Sequence, residues 1–274
     1  MSEEPIYVSS VIMGGLGNQL FQISLVLVES WKHNYIPVFS DKPWVRLEVK
    51  LEYNKTIFKH LTWLPEDKFN QIQFNKYNEP HFHYCQISRM NSSTQFEGYF
   101  QSWRYIHDFK SRLIKELFFL SEEDREKLEQ NWRTINPNNC HLVAIHVRRG
   151  DYISNSYYHT VLSLSYYEKS MKLVLGRNKN KTLEFCIFSD DLAWCKEQSL
   201  FKDCNFWTSS RPELDLLLMS KCSSFIIGNS SYSWWAAYLS NSDDVLYPDK
   251  WFGPGNDCHK LIDLYPPTWI KVIW

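Results

Sequence analysis

Two consecutive arginines, Arg148 and Arg149, stand where a predicted strand with the apolar run of residues 142–145 ends. A guanidinium group stays charged at any working pH and binds phosphate oxygens as a bidentate fork. A fixed arginine can therefore stabilise a departing pyrophosphate without a metal ion. Gly150 and Asp151 follow directly, so the alternative is a surface arginine pair that Asp151 neutralises. Taken alone, the pair predicts an anion site and leaves both interpretations open.

The second candidate is the glycine cluster at residues 14–17, which lies between a short β-rich run and an apolar stretch with helical spacing. A glycine turn ahead of a helix lets a ligand approach backbone N–H groups closely, and the helix dipole favours an anion there. The cluster is not a dinucleotide fingerprint, because Leu20 occupies the place of the third glycine. It also lacks the lysine of a P-loop. The alternative is that Asn18 only caps the helix.

The third candidate is the acidic pair Asp190 and Asp191, which follows the apolar run of residues 183–188. Two carboxylates at a strand end can accept hydrogen bonds from a base edge or a ribose hydroxyl, or bind a cation. A metal site on phosphates would favour two acids separated by one residue, whereas these are adjacent. The alternative is the N-cap of the helix that follows.

The fourth candidate is a group of small polar residues after the apolar run of residues 224–227. Hydroxyl, amide and free N–H groups at a helix N-terminus form a second anion cradle. The alternative is an ordinary serine cap. So many small polar residues ahead of two tryptophans exceed what capping needs. The residues are Asn229, Ser230, Ser231 and Ser233.

The elements that must position these candidates alternate between strands and helices. Such alternation predicts an α/β fold with parallel sheets, whose ligands sit at the carboxyl ends of the strands. Turn residues at positions 136–139 predict a boundary between an N-terminal half, residues 1–136, and a C-terminal half, residues 137–274. The predicted strands are residues 7–12, 141–147, 183–188 and 224–227, and the predicted helices are residues 20–31, 121–132, 166–175 and 212–220.

The bulk composition excludes several classes of protein. With 30 Lys and Arg against 31 Asp and Glu, the chain has no global field that would attract nucleic acid. The N-terminus lacks the features of a signal peptide, and no apolar run approaches the roughly 20 residues that span a bilayer. The seven cysteines, without C-x-x-C spacing, predict neither a disulfide framework nor a zinc site. We therefore expect a cytoplasmic protein with no integral membrane segment.

In this order, the four motifs resemble the signatures of the alpha-1,2-fucosyltransferases, glycosyltransferase family eleven. The resemblance extends from residue 14 to about residue 252 and includes the YPDKWF sequence at residues 247–252. It implies a GT-B-like fold of two Rossmann-type halves with the active site in the cleft between them. Residues 1–136 would form the acceptor side, and residues 137–274 would bind GDP-fucose. Residues 40–110 contain no pattern that identifies the acceptor.

The resemblance also implies the reaction, an inverting transfer of L-fucose from GDP-fucose to the 2-hydroxyl of a terminal galactoside, with no metal and no other cofactor. The acceptor would be a galactoside-terminated glycan, and a lipid-linked acceptor would bring the enzyme to the membrane surface. The alternatives are a different fucosyl linkage or another GDP-sugar. A more distant alternative is a non-catalytic carbohydrate-binding protein that uses a Trp-rich surface.

Carried over residue by residue, the resemblance makes Arg148 the arginine that holds the β-phosphate and places His146 beside the guanosine. Asp190 or Asp191 would face the guanine. The N-terminal motif, including Asn18, is expected near the donor sugar and acceptor. The other donor-binding positions are Gly15, Gly17, Arg149, Asn229, Ser230, Ser231 and Ser233.

The base that takes the acceptor proton is left open. Related fucosyltransferases use a glutamate shortly after the arginine motif, but residues 153–160 contain no acid. Asp151 is the nearest candidate, unless it orients the arginines instead, and His159 is a weaker option.

Overall fold

The computed structural model of the protein describes residues 4–42 and 51–274. The chain folds into two compact units, residues 1–120 with 260–265 and residues 121–259 with 266–274. The turn residues predicted a boundary at position 136, but the units divide at residue 121. The helix at Glu122–Ile135 therefore belongs to the second unit. Two ion pairs hold it there, from Lys221 to Glu129 (2.5 Å) and from Arg211 to Asp124 (3.2 Å). Among the described residues, no helix is both long and apolar enough to cross a bilayer.

A buried helix, α1 (Leu16–His33), organises the first unit and follows the strand β1 (Tyr7–Ser10). Nearly every residue from position 16 to position 30 is buried, so this helix lies inside the unit and not on its surface. It ends where Asn34 adopts the left-handed conformation (φ 58°) and donates its N–H to the carbonyl of Ser30. The predicted order of strand, glycine turn and helix is confirmed.

The strands of the first unit pair in parallel. Strand β1 lies inside a four-stranded sheet of order β2-β1-β6-β5, and β3 and β4 form a separate pair. Residues 43–50, which belong to the region 40–110 that did not identify the acceptor, lie outside the described residues. The bounds are β2 (Ile36–Pro37), β3 (Phe39–Ser40), β4 (Trp63–Leu64), α2 (Glu66–Phe69), β5 (Asn75–Asn78), β6 (Thr94–Glu97) and α3 (Lys110–Glu116).

Residues 260–265 return to the first unit and are tied to it through Asp263. The buried carboxylate of Asp263 accepts hydrogen bonds from the backbone N–H of Tyr84 at 3.1 and 3.0 Å. Its carbonyl accepts a hydrogen bond from the Ser102 hydroxyl at 2.9 Å. This short segment is therefore part of the first unit's hydrogen-bond network.

The second unit is a six-stranded parallel sheet of order β12-β11-β10-β7-β8-β9 with helices between the strands. Counted within the unit, this is the Rossmann order 6-5-4-1-2-3. Its elements are α4 (Glu122–Ile135), β7 (His141–Val147), α5 (Gly150–Ser154), α6 (Leu164–Arg177), β8 (Leu183–Ser189), α7 (Leu192–Glu197), β9 (Asn205–Trp207), α8 (Pro212–Ser220), β10 (Ser224–Ile226), α9 (Ser231–Ser240), β11 (Val245–Pro248) and β12 (Ile270–Val272).

The strand order places a topological switch point between β7 and β10, since the chain leaves these neighbouring strands in opposite directions along the sheet. Such a point opens a crevice beyond the carboxyl ends of the strands, where ligands bind. Residues 148–149 follow β7, and residues 227–230 follow β10. Residues 190–191 follow the adjacent strand β8. Three of the four predicted motifs therefore lie at one edge of this sheet.

A buried tyrosine of α6 forms a hydrogen bond to the residue that follows β10. The Tyr166 hydroxyl, fully buried in α6, donates a hydrogen bond to the carbonyl of Ile227 at 2.6 Å. The neighbouring Tyr167 hydroxyl makes only a long contact, 3.5 Å, with the carbonyl of His146. Tyr166 therefore helps to set the position of the loop that follows Ile227.

We predict that Tyr166→Phe lowers the free energy of unfolding by about 2 kcal/mol, because a buried carbonyl loses its donor. Urea denaturation of the purified protein measures this loss. Tyr167→Phe is the matched control and should cost less than half as much. Equal losses in the two variants would contradict the prediction.

Candidate functional site

The register of the sheet brings the arginine pair and the acidic pair together. Val147 pairs with Ser189 at the ends of β7 and β8, so the residues that follow these strands leave the sheet at the same level. Arg148 forms ion pairs with Asp190 (Nη1–Oδ2 2.9 Å) and with Asp151 (Nη2–Oδ1 2.6 Å). Its side chain remains 35% exposed. The guanidinium of Arg148 is therefore held by two carboxylates and still faces solvent.

The second arginine, Arg149, makes its contacts with other residues of the second unit. The Nε of Arg149 donates to Asp191 Oδ2 at 3.1 Å, and its guanidinium lies 3.7 Å from the ring centroid of Trp194. Only 17% of its side chain is exposed. Arg149 thus links the end of β7 to the start of α7, and Arg148 is the member of the pair that is available to a ligand.

Asp191 is the N-cap of α7, since its Oδ1 accepts a hydrogen bond from the backbone N–H of Trp194 at 3.1 Å. The capping alternative is thus confirmed for Asp191. Asp190 does not cap the helix. Its Oδ1 accepts from the backbone N–H of Arg149 at 2.9 Å, and its Oδ2 is the partner of Arg148. Both carboxylates are therefore engaged by the arginine pair in this structure.

The loop after β10 combines a helix cap with an internal clamp. Ser230 is the N-cap of α9, and its hydroxyl accepts from the N–H of Tyr232 at 3.3 Å. The amide of buried Asn229 donates to the carbonyls of Thr160 (2.9 Å) and Trp251 (2.8 Å). Its Oδ1 is buried with no hydrogen-bond partner in the described part of the chain. Asn229 thus fastens the loop to two neighbouring segments.

The remaining residues of this motif differ in their surroundings. Ser231 is the first residue of α9, at its positively polarised end. Ser233 is fully buried, and its hydroxyl contacts the carbonyls of Gly228 (3.4 Å) and Ser230 (3.2 Å). Trp234 and Trp235, both fully buried, are core residues and do not form a sugar-binding surface.

His146 is an uncharged group in the floor of the site. It is 5% exposed in β7, and its ring lies 5.5 Å from that of Tyr232. Burial, and next the positive charge of Arg148, lowers the pKa of His146 from 6.5 to about 3. A side chain at position 228 would approach it closely, since a Cβ there would stand 3.2 Å from Nδ1 of His146. Gly228 therefore permits the close packing of β7 and the loop.

An aromatic pair beside the arginines was not anticipated from the sequence. The ring of Tyr152 stacks on His159 at 4.3 Å and 9°, and its hydroxyl donates to the carbonyl of Asn229 at 3.0 Å. Burial is the main cause that raises the pKa of Tyr152 to about 12 and lowers that of His159. In the sequence, the only indication of this contact is the position of Tyr152, directly after Gly150 and Asp151. Tyr152 connects the loops after β7 and β10.

In the first unit, the glycine cluster forms the turn into α1. Gly14 has a positive φ of 72°, and Gly15 is the N-cap of α1 without a side-chain hydrogen bond. The alternative that Asn18 caps the helix is therefore wrong. Its Oδ1 accepts from Nε2 of Gln101 at 2.7 Å. The Gln19 side chain donates to the carbonyl of Gly14 at 3.0 Å, so the turn is held by its own helix.

The structure thus divides the predicted site residues between the two units. The second unit gathers the arginine pair, the acidic pair, Asp151, His146 and the loop at residues 228–233 at one edge of its sheet. Gly15, Gly17 and Asn18 lie in the first unit, at the start of α1. The two units, each with a helix start at the carboxyl edge of a parallel sheet, define a GT-B-like α/β protein.

Comparison with known proteins identifies the family. The profile of Glycosyl transferase family 11 matches residues 7–272. The chain therefore belongs to glycosyl transferase family 11. An Escherichia coli alpha-1,2-colitosyltransferase is 30% identical over 95% of this chain and 97% of the relative. A rat galactoside alpha-(1,2)-fucosyltransferase 2 is 29% identical over 65% of this chain and 53% of the relative.

Solved structures of fucosyltransferases share the fold. The fucosyltransferase NodZ from Bradyrhizobium superposes with a TM-score of 0.56 over 87% of this chain and 94% of its own, at 14% identity. A mutant of FUT1 from Arabidopsis thaliana in complex with GDP gives a TM-score of 0.56 over 96% of this chain and 75% of its own, at 11% identity. At these identities the likeness concerns the fold.

We predict that His146 stays neutral at pH 5, where an unperturbed histidine is largely protonated. Its folded pKa lies below its unfolded pKa, so the unfolded chain binds more protons between these two values. The stability contributed by the neutral ring is therefore complete above about pH 6.5 and is lost as the pH falls below it. NMR spectra of the imidazole nitrogens between pH 8 and pH 5 test this, with the His146→Gln spectrum giving the assignment. A titration midpoint near 6.5 would contradict the prediction.

Proposed function

We propose that the protein is an inverting transferase that moves L-fucose from GDP-fucose to the 2-hydroxyl of a terminal galactoside and releases GDP. The observation that carries this proposal is the position of Arg148. Its guanidinium lies at the switch point of a Rossmann-type unit, partly exposed, in a chain of glycosyl transferase family 11. The relatives named as alpha-1,2-fucosyltransferases supply the linkage.

The second unit is the proposed donor side. Negative charge develops on the pyrophosphate as its bond to C1 of the sugar breaks, and a fixed guanidinium stabilises that charge. At this edge of the sheet, Arg148 and the N-terminus of α9 can offer positive charge to a ligand. His146, neutral and buried, adds no charge beneath the nucleoside. The first unit, with its glycine turn at residues 14–17, is the proposed acceptor side.

The proposed reaction needs no metal ion. A metal-bridged pyrophosphate requires free carboxylates as metal ligands. Here Asp190 and Asp191 already accept hydrogen bonds from the arginine pair and from backbone N–H groups. The positive charge for the leaving group then comes from Arg148.

Two residues are candidates for the base. Asp151 is 54% exposed and pairs with Arg148, so its carboxylate is near the proposed reaction centre but shared. His159 is stacked on Tyr152, and burial favours its neutral, proton-accepting form by lowering its pKa. Either group accepts the hydroxyl proton as the acceptor oxygen attacks C1 and the pyrophosphate leaves with the bonding electrons.

A second donor is supported by a specific relative. The Escherichia coli alpha-1,2-colitosyltransferase aligns with 95% of this chain, more of it than the rat fucosyltransferase does. Colitose is 3-deoxyfucose, so the two donors differ by one hydroxyl group. A site built to hydrogen-bond that hydroxyl discriminates strongly against the sugar that lacks it.

The test is a determination of product linkage. The protein is incubated with GDP-fucose or with GDP-colitose and a panel of acceptors, namely lactose, a second β-galactoside and an N-acetylglucosaminide, with and without EDTA. We expect a fucosyl-α-1,2-galactoside product that forms equally in EDTA. Transfer only from GDP-colitose would favour the second donor. Activity that EDTA abolishes and Mn²⁺ restores would contradict the metal-free reaction.

We predict that Arg148→Ala reduces turnover by about 10²–10³-fold, because it removes a group that stabilises the leaving pyrophosphate. Steady-state kinetics with GDP-fucose and the best acceptor measure this. Arg177→Ala is the control, since Arg177 pairs with Asp244 before β11, at the opposite edge of the sheet. It should keep nearly full activity. A folded Arg148→Ala variant with near-normal turnover would overturn the assignment.

A further inference from the structure

We propose that Asp190 is a positioning residue that aims the Arg148 guanidinium at the donor diphosphate, and that Asp190 itself does not contact the guanine. This inference rests on the proposed function, since it takes a GDP-sugar as the ligand of the second unit. It differs from the role that the family resemblance implies for the acidic pair.

The first observation is that Asp190 has both oxygens committed. Its Oδ1 accepts from the backbone N–H of Arg149 at 2.9 Å, and its Oδ2 lies 2.9 Å from Nη1 of Arg148. One oxygen therefore fixes the carboxylate to the main chain after β7, and the other holds the guanidinium. With a backbone N–H on one oxygen and a guanidinium on the other, Asp190 is poorly placed to accept hydrogen bonds from a base.

The second observation is the glycine that follows the arginine pair. A Cβ at position 150 would stand 2.6 Å from Oδ2 and 3.3 Å from Cγ of Asp190. Gly150 needs no unusual backbone angle, since it is not among the residues with positive φ. The missing side chain at position 150 therefore provides the space that the Asp190 carboxylate occupies.

The third observation is the contrast between the two partners of Arg148. Asp151 is 54% exposed and lies on α5, a helix of one turn, whereas the side chain of Asp190 is 26% exposed and tied to the main chain. An arriving diphosphate competes for the guanidinium most easily with the more exposed carboxylate. Asp190 then keeps its bond to Nη1 while the phosphate takes the place of Asp151 at Nη2.

The experiment compares GDP with GMP as ligands of the same variants, by calorimetry or by competition with GDP-fucose. Asp190→Asn keeps the size and the oxygen that accepts from Arg149 but removes the charge that holds Arg148. We expect about tenfold weaker binding of GDP, the loss of one charge-assisted contact, and little change for GMP, which lacks the β-phosphate. Equal losses for GDP and GMP, or no loss for GDP, would overturn the proposal.

Two double-mutant cycles separate positioning from general damage. The effect of Asp190→Asn on GDP binding should disappear in the Arg148→Ala background, because the residue acts through that guanidinium. Gly150→Ala should weaken GDP binding in the natural sequence and have no further effect in the Asp190→Ala background, where the obstructing carboxylate is gone. Additive losses in both cycles would contradict the inference.

Asp203→Asn is the matched control, because it removes one aspartate charge before β9, at the opposite edge of the sheet, where the side chain is 88% exposed. It should bind GDP and GMP normally, and thermal unfolding of each variant confirms the fold. A failure of the proposed function would give a different result from a failure of the positioning role. In that case the unmodified protein itself does not bind GDP, whereas the positioning role fails only through the pattern among the variants.

Discussion

The contact between the ends of β7 and β8, where two arginines meet two aspartates, is the interaction on which the site depends. It involves Arg148, Arg149, Asp190 and Asp191, with ion-pair distances of 2.9 and 3.1 Å across the two strands. Because both pairs are only partly exposed, solvent screens them less than it screens a surface ion pair. The contact fixes the loop after β7, and this loop carries the guanidinium that we propose as the donor grip.

The local charge balance indicates which ligands the proposed grip would select. Counting Asp151, three carboxylates face two guanidinium groups, so the ligand-free cluster has a net charge of −1 from 2 − 3. A weak anion gains little by displacing a carboxylate from Arg148. A diphosphate brings more negative charge, and in the proposed donor site it would also lie at the positively polarised N-terminus of α9. The cluster therefore favours ligands that engage the guanidinium and the helix start together.

The sequence predicted the three central strands of the second unit, β7, β8 and β10, because they form apolar runs inside the sheet, but it did not predict β9, β11 and β12. The predicted strand at residues 141–147 and the helix at residues 212–220 coincide with β7 and α8. The parallel sheet and the placement of three motifs at one edge also followed from the pattern. The division of roles between Arg148 and Arg149 did not, because it depends on the register between β7 and β8.

Other features depend on contacts far apart in sequence. Asn18 has the type and position of a helix cap. Its side-chain oxygen Oδ1 instead accepts a hydrogen bond from Gln101, a residue 83 positions away. Short strands of two residues, such as β2 and β3, carry too few side chains for a period of two to be detected. The turn residues after α4 predict that this helix ends the first half, but it packs against α8 in the second unit, a contact far apart in sequence.

The return of residues 260–265 to the first unit has a consequence for building chimaeras. The chain enters the second unit at residue 121, leaves it at residue 260 and comes back at residue 266 to supply the edge strand β12. A cloned fragment that starts at residue 121 would thus carry Asp263 without its partners Tyr84 and Ser102. Exchange of the whole first unit between homologues therefore requires two segments, the N-terminal 120 residues and residues 260–265.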